Sequence, residues 1–143
     1  MKVLFICTGN TCRSPMAAAI FNDRWSEKGQ ARSAGLFATE GQEAALNASS
    51  VLNEHGIEIQ HQSSQVKKED MNWATHILTM TLAHKEMLMN YFPEASDKIF
   101  TLKEYVHHSE HDLDVIDPFG GDLEVYKMTF SELDHLISRI FKD

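Results

Sequence analysis

Cys7 and Arg13 stand at the two ends of one short run, Cys7-Thr8-Gly9-Asn10-Thr11-Cys12-Arg13, and Ser14 and Pro15 follow directly. The thiol at one end is a nucleophile, and the guanidinium at the other is a fixed cation. If the backbone N–H groups between them curl inward, they form an anion-binding nest, and a helix starting behind them adds the positive end of its dipole. A phosphoryl group fits that charge pattern. Gly9 is expected to take the positive φ of a curled loop and to let the backbone approach a ligand. Arg13 can donate two parallel hydrogen bonds to phosphoryl oxygens, a geometry closed to lysine. The same field favours Cys7 as a thiolate, and Ser14 can donate to the sulfur and help it leave a phosphocysteine. Thr8 to Ser14 are therefore the expected phosphate-binding residues.

Attack by a thiolate on phosphorus also needs an acid that protonates the leaving group, distant in sequence and close in space. Asp117 in Asp117-Pro118-Phe119-Gly120-Gly121 is the best candidate. Pro118 restricts the backbone there, and the glycines allow a sharp turn toward the site. Taken alone, an Asp-Pro pair is more often an ordinary turn. His107, His108 and His111, with Glu110 and Asp112, read as a solvated loop rather than a metal site, because no cysteine accompanies them. No metal or cofactor is expected.

These residues need elements to position them. Val3 to Ile6 is a continuous apolar run, which suits a strand buried on both faces and ending at Cys7. A helix is expected next, with Ser14 as its N-cap, Pro15 as its first residue and Lys28-Gly29 as its end. Arg32 to Phe37 reads as extended, 42–55 as a helix stopped by Gly56, and 57–66 as irregular before a short helical turn at 67–73. Strands are expected at 75–80 and 98–102, with a helix at 82–92 between them that Pro93 terminates; Met80 to Met89 reads as packing. The stretch 106–121 is a long polar loop of the kind that tends to be functional. Tyr126, Phe130, Leu133, Ile137 and Ile140 then repeat at helical spacing and should dock on the sheet. Alternating strands and helices imply an α/β fold with a mostly parallel sheet, whose ligand site lies at the carboxyl ends of the strands.

The chain has 143 residues, enough for one domain over 1–143 with a core of its own. Its 13 Lys plus Arg against 21 Asp plus Glu give a formal charge of -8, which disfavours nucleic acid and anionic membrane as partners. Both cysteines lie in the loop, which argues for thiol chemistry over a secreted disulfide framework. The apolar run at the N-terminus is too short for a signal peptide or a membrane span, so a cytoplasmic monomer is the expectation.

The run from Cys7 to Pro15 resembles the loop Cys-x-Gly-Asn-x-Cys-Arg-Ser-Pro of the low-molecular-weight protein tyrosine phosphatase family. Arg32-Ser-Ala-Gly35, His55-Gly56 and Asp117-Pro-Phe-Gly-Gly121 fall where that family has corresponding segments, so the resemblance spans essentially the whole chain. It implies a three-layer sandwich, a four-stranded parallel sheet flanked by helices, acting on phosphorylated proteins. It also implies that Asp117 is the general acid and then the base, and that Asn10, Ser33 and His61 hold the loop in shape by hydrogen bonds. In the family the pair matching Cys7 and Cys12 oxidises reversibly; as residues alone, Cys12 is equally well a small apolar filler. Thr11, where many tyrosine-directed relatives carry a larger aliphatic residue, resembles the bacterial protein arginine phosphatase branch. A compact hydroxyl leaves room for a guanidinium on which Phe119 could stack. Phosphoarginine on proteins is thus the leading substrate, with phosphotyrosine as the alternative. A non-catalytic phosphate-binding module is disfavoured because Cys7, Arg13 and Asp117 are all present. A thioredoxin-coupled arsenate reductase is disfavoured because no cysteine follows Cys12.

Overall fold

In the computed structural model, which describes residues 1–141, the apolar run becomes strand β1, Lys2–Cys7, with every residue from Val3 onward buried. Successive side chains of a strand point to opposite faces. Val3, Phe5 and Cys7 therefore join one apolar cluster, and Leu4 and Ile6 join the other. A strand buried on both faces and both edges must lie inside a sheet. β1 pairs in parallel with β2 (Gln30–Gly35) on one side and with β3 (His76–Thr79) on the other, and β3 pairs with β4 (Ile99–Thr101). The order is β2-β1-β3-β4. The chain leaves β1 toward one edge and returns to its other side as β3, so the switch point of the sheet lies at Cys7.

Helices cover both faces. On the Val3/Phe5 side lie α1 (Arg13–Trp25), α2 (Leu46–Glu54) and α6 (Leu123–Ser138), which bury Met16, Phe21, Leu52, Phe130 and Leu133 among others. The opposite face is covered by α3 (Lys68–Trp73) and α4 (Leu82–Tyr91), through Met71 and Leu88. Met80 is buried, and Met87 and Met89 pack at the edge of that second cluster. A short α5, Leu102–His107, follows β4.

The structure corrects several boundaries. The expected helix at 42–55 starts only at Leu46, because the backbone before it bonds elsewhere: Gln42 N donates to Ser63 Oγ and Ala45 N to the Thr11 carbonyl. The expected strand at 98–102 is three residues long, since Thr101 caps α5 and Glu104 bonds back to its N–H in a reciprocal box. After α4, Pro93 opens a 3-10 turn, Pro93–Lys98, where the sequence predicts no helical element. No helix among the described residues is long and apolar enough to cross a membrane.

Candidate active site

The loop from Cys7 to Arg13 wraps the floor of a cleft of about 290 Å³, walled by Thr8, Thr11, Phe37, Thr39, Asp117 and Phe119. At its base the Cys7 sulfur lies 2.9 Å from Ser14 Oγ. Asn10 Nδ2 donates to the same hydroxyl oxygen at 2.8 Å, which frees the Ser14 proton for the sulfur. Ser14 is thus committed inside the site and does not cap α1, whose first residue is Arg13 and which has no side-chain cap. That corrects the expectation of a Ser14 N-cap. It leaves the Ser14 hydroxyl within hydrogen-bond distance of the Cys7 sulfur.

The positive φ of the loop belongs to Asn10, at 58°, and not to Gly9. Asparagine tolerates the left-handed region when its short amide is bonded locally. Here both ends are used: Nδ2 on Ser14, and Oδ1 accepting from Ser64 N at 2.9 Å. His61 Nε2 donates to the Asn10 carbonyl at 2.6 Å, so two of the three expected supporting residues hold the loop. Burial lowers the His61 pKa, with the hydrogen bond to Asn10 acting the other way, so the ring is a neutral donor near pH 7. Ser33 is different. It sits in β2 facing a separate surface groove that also touches His61, and it is not among the hydrogen-bond partners of the loop.

Gly35 explains the motif that contains it. A Cβ there would lie 2.5 Å from the Thr8 carbonyl oxygen and 3.1 Å from Asn10 N, so β2 can run under the loop only with glycine at this position. Leu36 N and Phe37 N then donate to the carbonyls of Cys7 and Thr8.

Arg13 is 5% exposed, and its anchors are few: Nη1 donates to the Val115 carbonyl at 3.1 Å, and Nη2 lies 3.5 Å from Oδ2 of Asp117. Asp117 is 54% exposed, so it balances the buried cation only weakly. The cleft therefore keeps a positive potential that suits a phosphate dianion, with Arg13 donors to spare. Val115 N bonds to the Met80 carbonyl at 2.7 Å, tying the polar loop to the end of β3. Two residues later this brings Asp117 to the mouth of the cleft. The turn from Pro118 to Gly121 closes through Gly121 N to Pro118 O, with Gly120 at φ 80°, and leaves Phe119 78% exposed at the rim.

Cys12 is buried, and its sulfur lies 3.2 Å from the Tyr126 hydroxyl; both cysteines are free. Burial, and then the hydrogen bond to Cys12, raise the Tyr126 pKa and keep its hydroxyl protonated. Sequence reasoning missed Tyr126, Val115, His84, which bonds Thr8, and the second wall of Phe37 and Thr39. It also missed how that wall is held: Ser63 Oγ donates to the Thr39 carbonyl, and Gln65 bonds Ala38 N and Leu36 O. One irregular stretch, 61–65, thus braces both the phosphate loop and the wall that carries Phe37 and Thr39.

Comparison with known proteins agrees with this geometry. The family model described as low molecular weight phosphotyrosine protein phosphatase matches residues 2–143. A protein-arginine-phosphatase of Geobacillus stearothermophilus is 54% identical over 97% of this chain and 93% of its own length. Another from Bacillus subtilis is 43% identical over 99% and 95%. The structure of the YwlE arginine phosphatase from Geobacillus stearothermophilus superposes with a TM-score of 0.94 at 52% identity, covering 97% of this chain and 89% of that one. A tight thiol loop at the switch point of a four-stranded parallel sheet, matched along essentially its whole length, places this chain in the low molecular weight phosphotyrosine protein phosphatase family.

Proposed function

We propose that the protein hydrolyses phosphoarginine on proteins through a phosphocysteine. The carrying observation is the Cys7 sulfur under a hydroxyl donor, in a cleft whose charged groups are Arg13 and Asp117. The Cys7 thiolate attacks phosphorus, forming the S–P bond as the P–N bond to the guanidino group breaks. Asp117, protonated at the start, gives its proton to the leaving nitrogen. Arg13 and the amides from Thr8 to Ser14 hold the three equatorial oxygens as charge builds on them. Asp117, now a carboxylate, takes a proton from water as that water attacks phosphorus. Inorganic phosphate departs, and Cys7 returns as a thiolate supported by Ser14.

The names of the relatives favour arginine over tyrosine as the carrier. The site supports the same choice: Thr11 is a compact wall residue, the Asp117 carboxyl group lies in the cleft wall where it can meet the leaving guanidino nitrogen, and Phe37 and Phe119 offer two flat faces to a planar cation. Phosphotyrosine is the alternative, since other similar proteins carry the name low molecular weight protein-tyrosine-phosphatase. Turnover of phosphoarginine and phosphotyrosine peptides, measured side by side, tests the choice. Wild type should favour phosphoarginine and Thr11→Ile should shift the ratio toward phosphotyrosine; an unmoved ratio removes Thr11 as the selector.

Two free thiols at the site suit the reducing cytoplasm. Under peroxide, a Cys7 sulfenic acid would condense with the Cys12 thiol and release water, once Cys12 gives up its contact with Tyr126.

A further inference from the structure

We infer that His84 is a positioning residue for phosphoryl transfer, fixing the Thr8 hydroxyl so that its proton is presented to the phosphoryl group. The inference rests on the phosphatase reading of the cleft and adds a residue outside the loop to it. His84 lies in the first turn of α4, where its backbone N donates to Thr81 Oγ1, and its side chain runs inward to only 8% exposure. Its Nε2 lies 2.9 Å from Thr8 Oγ1, across 76 residues of sequence. Its Nδ1 is buried without a partner among the described residues. Burying an imidazole half-satisfied costs more than burying an apolar ring, so packing alone does not account for it.

The orphaned nitrogen fixes the proton. A neutral imidazole carries one N–H. On Nδ1 that proton would be a buried donor with no acceptor, which is the rarer kind of orphan; on Nε2 it meets Thr8 Oγ1 and leaves a bare lone pair behind. Thr8 then accepts from His84, and its own O–H is free for the cleft that Thr8 lines. The Thr8 backbone is pinned separately, its carbonyl accepting from Phe37 N at 2.9 Å, so the hydroxyl is the part still to be set. The ring is neutral at pH 7: burial first and the Arg13 charge second push its pKa down to about 4, against the opposing pull of Asp114 and Asp117. It therefore contributes a hydrogen bond to the site and no charge.

Vanadate binding, read by calorimetry, tests this without turnover, in wild type, His84→Phe, His84→Gln, Thr8→Val and the double variant His84→Phe/Thr8→Val. His84→Phe keeps a ring and removes the donor, whereas glutamine can return an N–H to Thr8. The dissociation constant should rise about tenfold in His84→Phe and in Thr8→Val, the scale of one ordinary hydrogen bond. Glutamine should recover most of that loss, and the double variant should bind no worse than Thr8→Val. Turnover of phosphoarginine and of an aryl phosphate should fall by the same factor, because Thr8 meets the phosphoryl group and not the leaving group. Unchanged binding in His84→Phe, or a double loss equal to the product of the single losses, overturns the inference. Should His84→Phe not fold, unchanged binding in Thr8→Val, or equal losses in His84→Gln and Thr8→Val, overturns it instead. A wild type that binds vanadate but turns over neither substrate refutes the phosphatase reading, while the binding cycle still decides on His84.

Discussion

Replacing Ser14 with alanine separates two jobs that one hydroxyl performs. Ser14 is fully buried, accepts from Asn10 Nδ2 at 2.8 Å and faces the Cys7 sulfur at 2.9 Å. Removing it leaves the Asn10 amide unpaired in a fully buried position, which should cost about 1–3 kcal/mol of folding stability. It also removes a charge-assisted hydrogen bond of roughly 1.5–3 kcal/mol to a thiolate, needed in full when that thiolate leaves phosphorus. The second loss should slow breakdown of the phosphocysteine about 10- to 150-fold, while its formation suffers less because the sulfur is then the attacking group. Rapid-quench kinetics on an aryl phosphate read this directly, as a burst of one equivalent of phenol followed by a slow steady state. Urea denaturation reads the stability loss separately. A variant that loses stability but shows no burst and an unchanged breakdown rate would mean that Ser14 merely fills space, and its role at the leaving sulfur would fall.

Two further perturbations test the scaffold. Gly35→Ala places a methyl group 2.5 Å from the Thr8 carbonyl oxygen, which forces the loop and β2 apart. A displacement of that kind should cost about a hundredfold in kcat/KM with the chain still folded, and wild-type activity would contradict the close approach. The second concerns pH. His84 titrates at about 4 in the folded state against 6.5 ordinarily, so between those values the unfolded chain binds the extra proton. Stability is therefore complete above about pH 6.5 and falls as pH drops toward 4, by up to ~1.4 kcal/mol per pH unit from this ring. His84→Phe should flatten that part of the urea-midpoint profile; parallel profiles would show that the ring titrates normally.

The parts of the molecule legible in the sequence are those whose signal is contiguous. The run from Val3 to Ile6 announces a strand buried on both faces, and the stripe from Tyr126 to Ile140 announces an amphipathic helix; the strand exists as read, and the helix carries the stripe as far as Ile137 and ends at Ser138, before Ile140. Cys7, Arg13 and Ser14 declare themselves because the chemistry lies within one loop. What stays hidden depends on chain crossings. The stretch 61–65 has no periodicity, yet His61, Ser63, Ser64 and Gln65 brace two walls of the site, each through a hydrogen bond to a distant part of the chain. His84 looks like any polar residue in the first turn of a helix until the sheet order sets it behind Thr8. Residue type alone points to Gly9 for the left-handed conformation, whereas Asn10 takes it because Ser14 and Ser64 bond its amide. The Ser14 N-cap fails for the opposite reason, since the hydroxyl finds a better use at the sulfur.

The most direct test of the phosphocysteine route is to mix enzyme with a phosphoarginine-bearing protein, quench in acid within the first turnover and locate the phosphoryl group by peptide mass spectrometry. Wild type should carry one phosphoryl group on the peptide containing Cys7. In Cys7→Ser the group should sit on the substituted hydroxyl and stay there without further turnover. A quenched enzyme free of phosphate while phosphoarginine is consumed at full rate, or label on any other residue, would contradict the route.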